Sequence, residues 1–166
     1  FNTAILEGCQ SGIEIDNPNL VNTGSTLLSN IRIRNSASTS RSGAYGIKID
    51  NNMGVELDDI IIDEYEVALE VNGDPNADLR STVLLSNIRV RNSSSTSRSQ
   101  DHGVRLNNLG MINAQNIMLD DFSYGLEIDN LAMTNPANVS LSNIRAQCDS
   151  TDFTSIALKL VGPVAA

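Results

Sequence analysis

Apolar and polar residues alternate along this chain in runs of three, and the same runs keep returning. Val55-Glu-Leu57, Val83-Leu-Leu85 and Val139-Ser-Leu141 form one set, and Ile31-Arg-Ile33, Ile60-Ile-Ile62, Ile88-Arg-Val90 and Ile117-Met-Leu119 form a second. A third comprises Ile13-Glu-Ile15, Ile47-Lys-Ile49, Leu69-Glu-Val71, Val104-Arg-Leu106, Leu126-Glu-Ile128 and Leu158-Lys-Leu160. Alternation with period two marks a strand with one buried face. No segment sustains a helical period, and Asn, Gly and Ser separate the runs.

The sets recur in a fixed order. Leu28-Ser-Asn-Ile-Arg32 returns as Leu85 to Arg89 and again as Leu141 to Arg145, a period of about 57 residues. Weaker echoes at Leu57-Asp-Asp-Ile-Ile61 and Ala114-Gln-Asn-Ile-Met118 halve it to about 28. Each large repeat is therefore two coils, and six copies of the third run predict about six coils with three short strands in each. The expected architecture is an all-β parallel β-helix solenoid in one domain, 1–166, with two-coil repeats at approximately 1–51, 52–108 and 109–166.

The outward positions bear on this independently, because adjacent coils set equivalent side chains about 4.8 Å apart, where like charges repel. The third-strand column runs Glu14, Lys48, Glu70, Arg105, Glu127, Lys159, alternating in sign throughout. The second-strand column runs Glu7, Arg34, Asp63, Arg91, Asp120, Gln147 and alternates until its last member. Each exposed pair contributes a few tenths of a kcal/mol, whereas slippage by one coil sets like charges together along the whole column. The charges thus select register more than they add stability.

Asn30, Asp59, Asn87, Asn116 and Asn143 fall at the bend between the first two strands, and Asn17, Asn51, Asn108 and Asn130 follow the third. Stacked Asn side chains hydrogen-bond along an axis and tolerate turn conformations. With these ladders the chain resembles the right-handed parallel β-helix superfamily of pectate lyases, fungal β-glucanase-like proteins and phage tailspikes. The resemblance covers nearly the whole chain, and it implies a polysaccharide groove along one strand face.

A net charge of −9, with 11 basic residues, argues against nucleic acid and anionic membrane partners. No apolar run is long enough to cross a bilayer, and Phe1 in place of an initiator Met points to a mature or excised chain. Asn92-Ser-Ser and Asn138-Val-Ser are sequons, which with the Ser-rich loops fit a secreted or cell-surface glycoprotein; chance tripeptides are the alternative in a chain this rich in Asn and Ser. The loops Asn35 to Tyr45 and Asn92 to His102 share Ser-Thr-Ser-Arg-Ser, as surface excursions or as sites of glycan or ligand contact.

Cys9 aligns with the column of Tyr65 and Phe122, and Cys148 with the adjacent column of Asn35 and Asn92. Five coils, roughly 24 Å, separate them, so they cannot bond within one molecule. Two unrelated free thiols are one reading. The other stacks the last coil of one molecule on the first of the next, which sets Cys148 and Cys9 within disulfide range, pairs Lys159 with Glu14, and continues the two-coil alternation. No polar cap is evident at either end, and an uncapped solenoid end requires a partner or a missing piece.

The superfamily's enzymes work with clustered Asp, Arg or Lys residues and sometimes calcium, which here directs attention to the third-strand face and to Asp16, Lys48, Asp50, Glu70, Arg105, Glu127 and Asp129. Paired carboxylates suit glycoside cleavage, but these acids already have roles as ladder partners. Asp101-His102-Gly103 resembles the Gly-His-Gly segment of polygalacturonase-like enzymes, and Asp58-Asp59 and Asp120-Asp121 resemble their paired acids, while the accompanying Asn-Thr-Asp and Arg-Ile-Lys elements are absent. His102, at a loop end, reads as a solvated turn residue. Neither Asp74 and Asp78 nor the Asp149 to Asp152 loop has the spacing of a dedicated calcium site. The expectation is accordingly a non-enzymatic chain with no cofactor, metal or catalytic residue, whose partner is itself in a head-to-tail extracellular fibre. A fragment of a carbohydrate-active β-helix and a polysaccharide-binding module are the alternatives.

Overall fold

The computed structural model describes residues 3–17, 25–35, 44–50, 53–74, 81–92, 101–133, 136–148 and 156–165. All of its elements are strands. One parallel sheet contains β1 (Ala4–Glu7), β3 (Ser25–Arg34), β5 (Gly54–Asp63), β7 (Thr82–Arg91), β9 (Met111–Phe122), β11 (Ala137–Cys148) and β13 (Val164–Ala165), in that order. The other contains β2 (Ile13–Asp16), β4 (Tyr45–Asp50), β6 (Val67–Asn72), β8 (His102–Asn107), β10 (Tyr124–Asp129) and β12 (Ile156–Val161). Consecutive strands fall in alternate sheets and every pairing is parallel, which makes the chain a parallel β-solenoid.

Where three short strands per coil are expected, the first two segments run on as one strand of 10 or 12 residues, bent in its middle. The bend is made by Asn30, Asp59, Asn87, Asn116 and Asn143, all with φ between 53° and 56°. Asn and Asp tolerate this left-handed region better than other non-glycine residues. One such residue sets two successive side chains outward, so Leu28 and Ile31 both reach the interior although they are three positions apart. The ladder skips the bend itself and resumes beyond it. Asn143 Nδ2 donates to Asn116 Oδ1 (2.7 Å) and Asn116 Nδ2 to Asn87 Oδ1 (3.1 Å), which links three of the bends along the axis.

The core is a column of stacked Ile, Leu and Val. Ile47, Leu69, Val104 and Leu126 lie one above another and are at most 1% exposed, as are Ile49, Val71, Leu106 and Ile128 beside them. Burial of each such side chain is worth about 1.5–3 kcal/mol. The expected count of six coils becomes about four turns with closed interiors, flanked by one partly covered winding at each end. The two sheets meet at tight corners: a Cβ on Gly46 would lie 2.5 Å from the carbonyl oxygen of Ala68 and from Ile62 Cγ2.

Replacing Asn116 by Val puts a β-branched residue into the left-handed region and removes two axial hydrogen bonds, for an expected loss of about 2 kcal/mol. Asn116→Gly forfeits the same hydrogen bonds without the steric penalty and should lose less. Urea denaturation of the two variants makes the comparison, and equal losses would show that the backbone conformation does not govern the bend.

Candidate functional site

Both sequence-derived charge columns are present in the expected register. The ladder sets Glu14 beside Lys48, Lys48 beside Glu70, Glu70 beside Arg105, Arg105 beside Glu127 and Glu127 beside Lys159. On the other sheet Glu7, Arg34, Asp63, Arg91, Asp120 and Gln147 follow one another rung by rung.

The outer face of the second sheet carries three columns. Tyr45, Val67, His102, Tyr124 and Ile156 form the first, the alternating charges the second, and Asp50, Asn72, Asn107, Asp129 and Val161 the third. Their neighbours cover the central charges: the side chains of Glu70 and Glu127 are each only 7% exposed. Arg105 bridges them, with Nη1 3.2 Å from Glu70 Oε2 and Nε 3.5 Å from Glu127 Oε2. Lys159 Nζ donates to Glu127 Oε1 at 2.5 Å, and Lys48 Nζ lies 2.8 Å from Asp50 and 3.8 Å from Glu14. Asn72 Nδ2 donates to Asp50 (2.6 Å) and to Glu70 (2.8 Å), and Asn107 Nδ2 donates to Asn72 Oδ1 (2.6 Å). Of the seven candidate groove residues, Lys48, Asp50, Glu70, Arg105 and Glu127 are joined in one network through Asn72; Asp129 follows in the third column, where its Oδ1 accepts from the Leu131 backbone N, and Asp16 pairs in the ladder with Asp50.

His102 departs from the sequence expectation. It is buried, its ring stacked on Tyr124 with centroids 4.7 Å apart and planes 13° from parallel. Its Nε2 lies 2.9 Å from Glu127 Oε2 and 3.0 Å from Arg105 Nη2, so a protonated Nε2 donates to the carboxylate and a bare one accepts from the guanidinium. The signal in the sequence was the column: His102 stands three residues before Arg105, as Tyr45 stands before Lys48 and Tyr124 before Glu127. Lys48 and Lys159 lie over the rings of Tyr45 and Tyr124, 5.6 and 5.2 Å from the centroids, an arrangement that occupies ring faces a sugar would otherwise stack on.

Burial, the largest influence on Glu127, opposes its ionisation, but the hydrogen bond from Lys159 and the charges of His102, Lys159 and Arg105 together outweigh it, and its carboxyl sits below the ordinary 4.5. The hydrogen bond to Glu127 in turn raises the Lys159 ammonium. A carboxylate held ionised by Lys159 and Arg105 is a poor general acid, and acids and bases on this face pair with one another. Beside it lies an open cleft of about 660 Å³ lined by Asn72, Arg105, Asn107, Glu127, Asp129 and Leu131, among others. No group of His, Cys, Asp and Glu able to hold a metal ion occurs among the described residues.

Of the two sequon asparagines, Asn92 is fully buried, its Nδ2 donating to the Tyr65 carbonyl (2.9 Å) and to Asp101 Oδ2 (3.0 Å), and Asn138 on β11 is exposed. The sequence alignment sets Cys148 in the column beside that of Phe122, but the ladder skips Asp121 and pairs Cys148 with Phe122, so the two columns meet. Asn51, Asp78, residues 149–152 and most of the Ser-rich and groove-flanking loops lie outside the described residues.

The end windings supply the other notable surface. Ile156, Leu158 and Leu160 are 39%, 47% and 48% exposed, although Leu158 and Leu160 continue columns that are closed in the four enclosed windings. Ala4, Leu6, Ile13 and Ile15 at the first winding are partly covered. The chain matches no protein-family model, and the searches of curated proteins and of solved structures found no match to it.

The depressed Glu127 carboxyl contributes stability above the ordinary glutamate value of 4.5 and loses it as pH falls through its lower folded value. Glu127→Gln should therefore be less stable than the parent at pH 7, with the gap narrowing steadily below 4.5. Urea midpoints measured from pH 7 down to about pH 3 make the comparison; a gap that stays constant would mean the carboxylate is not held by its cations.

Proposed function

We propose that this chain is a structural scaffold whose copies stack head to tail into a fibre. The observation that carries the reading is the exposed interior of the last winding, where Leu158 and Leu160 are nearly half exposed in columns whose members in the four enclosed windings are at most 1% exposed. Exposed inward aliphatics and unpaired strand edges favour a further rung. A second copy fits as that rung in several independent respects.

Continuing the second sheet places Ile13 on Leu158, Glu14 on Lys159 and Ile15 on Leu160, so apolar meets apolar and the acid falls beside the lysine. On the first sheet β13 pairs with Ala137 and Asn138 alone, whereas β1 pairs with Ile31 to Arg34, the equivalents of Ile144 to Gln147. One copy's β13 and the next copy's β1 then occupy separate halves of a single shared rung. Parity is preserved as well, because the left-handed corner residues Gly8, Glu64 and Asp121 recur in every second winding and the junction continues that rhythm. Identical contacts repeated head to tail do not close, and they produce an open filament.

A secreted or cell-surface setting fits this reading, with Asn138 as an accessible glycosylation position. A second reading, a polysaccharide-binding or carbohydrate-active relative of the pectate-lyase-like β-helices, draws support from the open cleft beside Arg105 and Asp129. The ion pairing of Glu70 and Glu127 and the lysines over the tyrosine rings weigh against it.

Negative-stain microscopy of concentrated protein should reveal filaments with an axial repeat of about 28 Å, six rungs at strand spacing. Ile15→Asp blocks one end and Leu160→Asp the other, and each variant alone should stay monomeric. Mixed in equal amounts, they should form dimers through the one junction left intact, an outcome that misfolded variants cannot give. A parent protein that remains monomeric at every concentration, or variants that polymerise like the parent, would overturn the proposal.

A further inference from the structure

We propose that the junction between stacked copies carries a disulfide between Cys148 of one copy and Cys9 of the next. This rests on the stacking reading and adds a covalent site to it. The argument comes from the corner where the first sheet gives way to the second. In alternate windings the residue entering this corner follows a left-handed one: Cys9 after Gly8, Tyr65 after Glu64, and Phe122 after Asp121, with φ values of 72°, 70° and 66°. In the other windings the strand enters directly, with Asn35, Asn92 and Cys148. The extra residue is a bulge, which explains why the ladder passes over Asp121 and pairs Cys148 with Phe122.

Cys148 and Phe122 are ladder partners, and the same offset at Gly8 and Glu64 brings Cys9, Asn35, Tyr65 and Asn92 into their column, where the sequence alignment separates the six into two. The entry into it repeats: Asn35 N donates to the carbonyl of Asp63 and Asn92 N to that of Asp120, both at 3.1 Å, each acceptor standing just before the left-handed residue of the next winding. Glu7 holds the same station in the first winding as Asp63 and Asp120. The Tyr65 hydroxyl donates to the Cys9 carbonyl at 2.9 Å, tying Cys9 to the column from two windings away.

Stacking therefore sets Cys148 and the next copy's Cys9 one rung apart in the same column, about 4.8 Å between Cα atoms. Disulfides span Cα separations of about 4.4–6.8 Å. Within one chain the two cysteines are five rungs apart, so the bond can only join copies. Asn35, Tyr65, Asn92 and Phe122 are all at most 5% exposed, whereas Cys9 is only partly covered in the outermost winding, so docking encloses it and shields the bond from reductants.

The chemistry balances with a small-molecule disulfide as oxidant. One cysteine thiolate attacks it, forming a mixed disulfide and releasing one small thiol. The second thiolate then attacks the mixed disulfide at the protein sulfur, closing the Cys9–Cys148 bond and releasing the second small thiol. Two protein thiols are oxidised and one small disulfide is reduced to two thiols.

Full-length protein, concentrated with oxidised glutathione and quenched with an alkylating agent, should give a ladder of covalent dimers, trimers and higher species on a non-reducing gel. Dithiothreitol should collapse the ladder to monomer, and mass spectrometry should identify a peptide joining Cys9 to Cys148. Neither Cys9→Ser nor Cys148→Ser alone should yield the ladder, while their equal mixture should stop at covalent dimers. Filaments in the microscope with only monomers on the gel, or cross-links joining Cys9 to Cys9 or Cys148 to Cys148, would overturn the disulfide and leave stacking intact. Absence of both filaments and cross-links would overturn both.

Discussion

Everything in this molecule follows from the fact that one winding of a β-solenoid cannot satisfy itself. A strand of four to six residues has no hairpin partner; its backbone groups pair with the equivalent strands on either side, and its inward aliphatics are covered by those same neighbours. Burial shows the dependence directly. Ile49, Val71, Leu106 and Ile128 are closed because a winding lies on each side of them, and Leu160, chemically equivalent, is half open because only one does. Stability in such a stack is shared between nearest neighbours rather than pooled in a central core.

This dependence makes register the quantity that the remaining side chains must defend, because a slide of one winding leaves most inward contacts chemically unchanged. The alternating columns supply the discrimination. Shifting one copy of the pattern by a rung would set Glu70 against Glu127 without Arg105 between them, in a face where each is only 7% exposed. The buried His102, stacked on Tyr124 and contacting both Glu127 and Arg105, and Asn72, donating to both Asp50 and Glu70, tie neighbouring columns together. Glu70 and Glu127, the acids most enclosed on this face, are ion-paired members of these columns.

Much of this was legible in the sequence because periodicity converts residue spacing into contacts. Every step of the Glu14 to Lys159 column and of the Glu7 to Gln147 column is a ladder partner in the structure, and the Asn30 to Asn143 column coincides with the left-handed bends. The misreadings occur where one winding differs from the next by a single residue. The insertion at Glu64 and Asp121 shifts the alignment by one, so that one column reads in the sequence as two. An insertion leaves no mark in hydrophobic alternation when it falls at a corner. The burial of Asn92 and His102 was missed for a related reason: each adjoins a polar loop, and only its neighbours in the column, Tyr65 and Tyr124, reveal that it packs inward or under cover. The bend at Asn30 and its equivalents was placed correctly, but a left-handed residue turns a strand without ending it, so two expected strands are one.

The central claim is that the end windings are completed by another copy in ladder register, and amide hydrogen exchange followed against protein concentration addresses it most directly. In a parallel ladder, alternate amides of β12 and of β1 point to the open edge and should exchange rapidly in dilute protein. Concentration should slow these amides selectively, with little change in the enclosed strands β6 and β8. If the edge amides of β1 and β12 are equally protected at all concentrations, or exchange rapidly at all of them, the windings are either already covered or never paired, and the account fails.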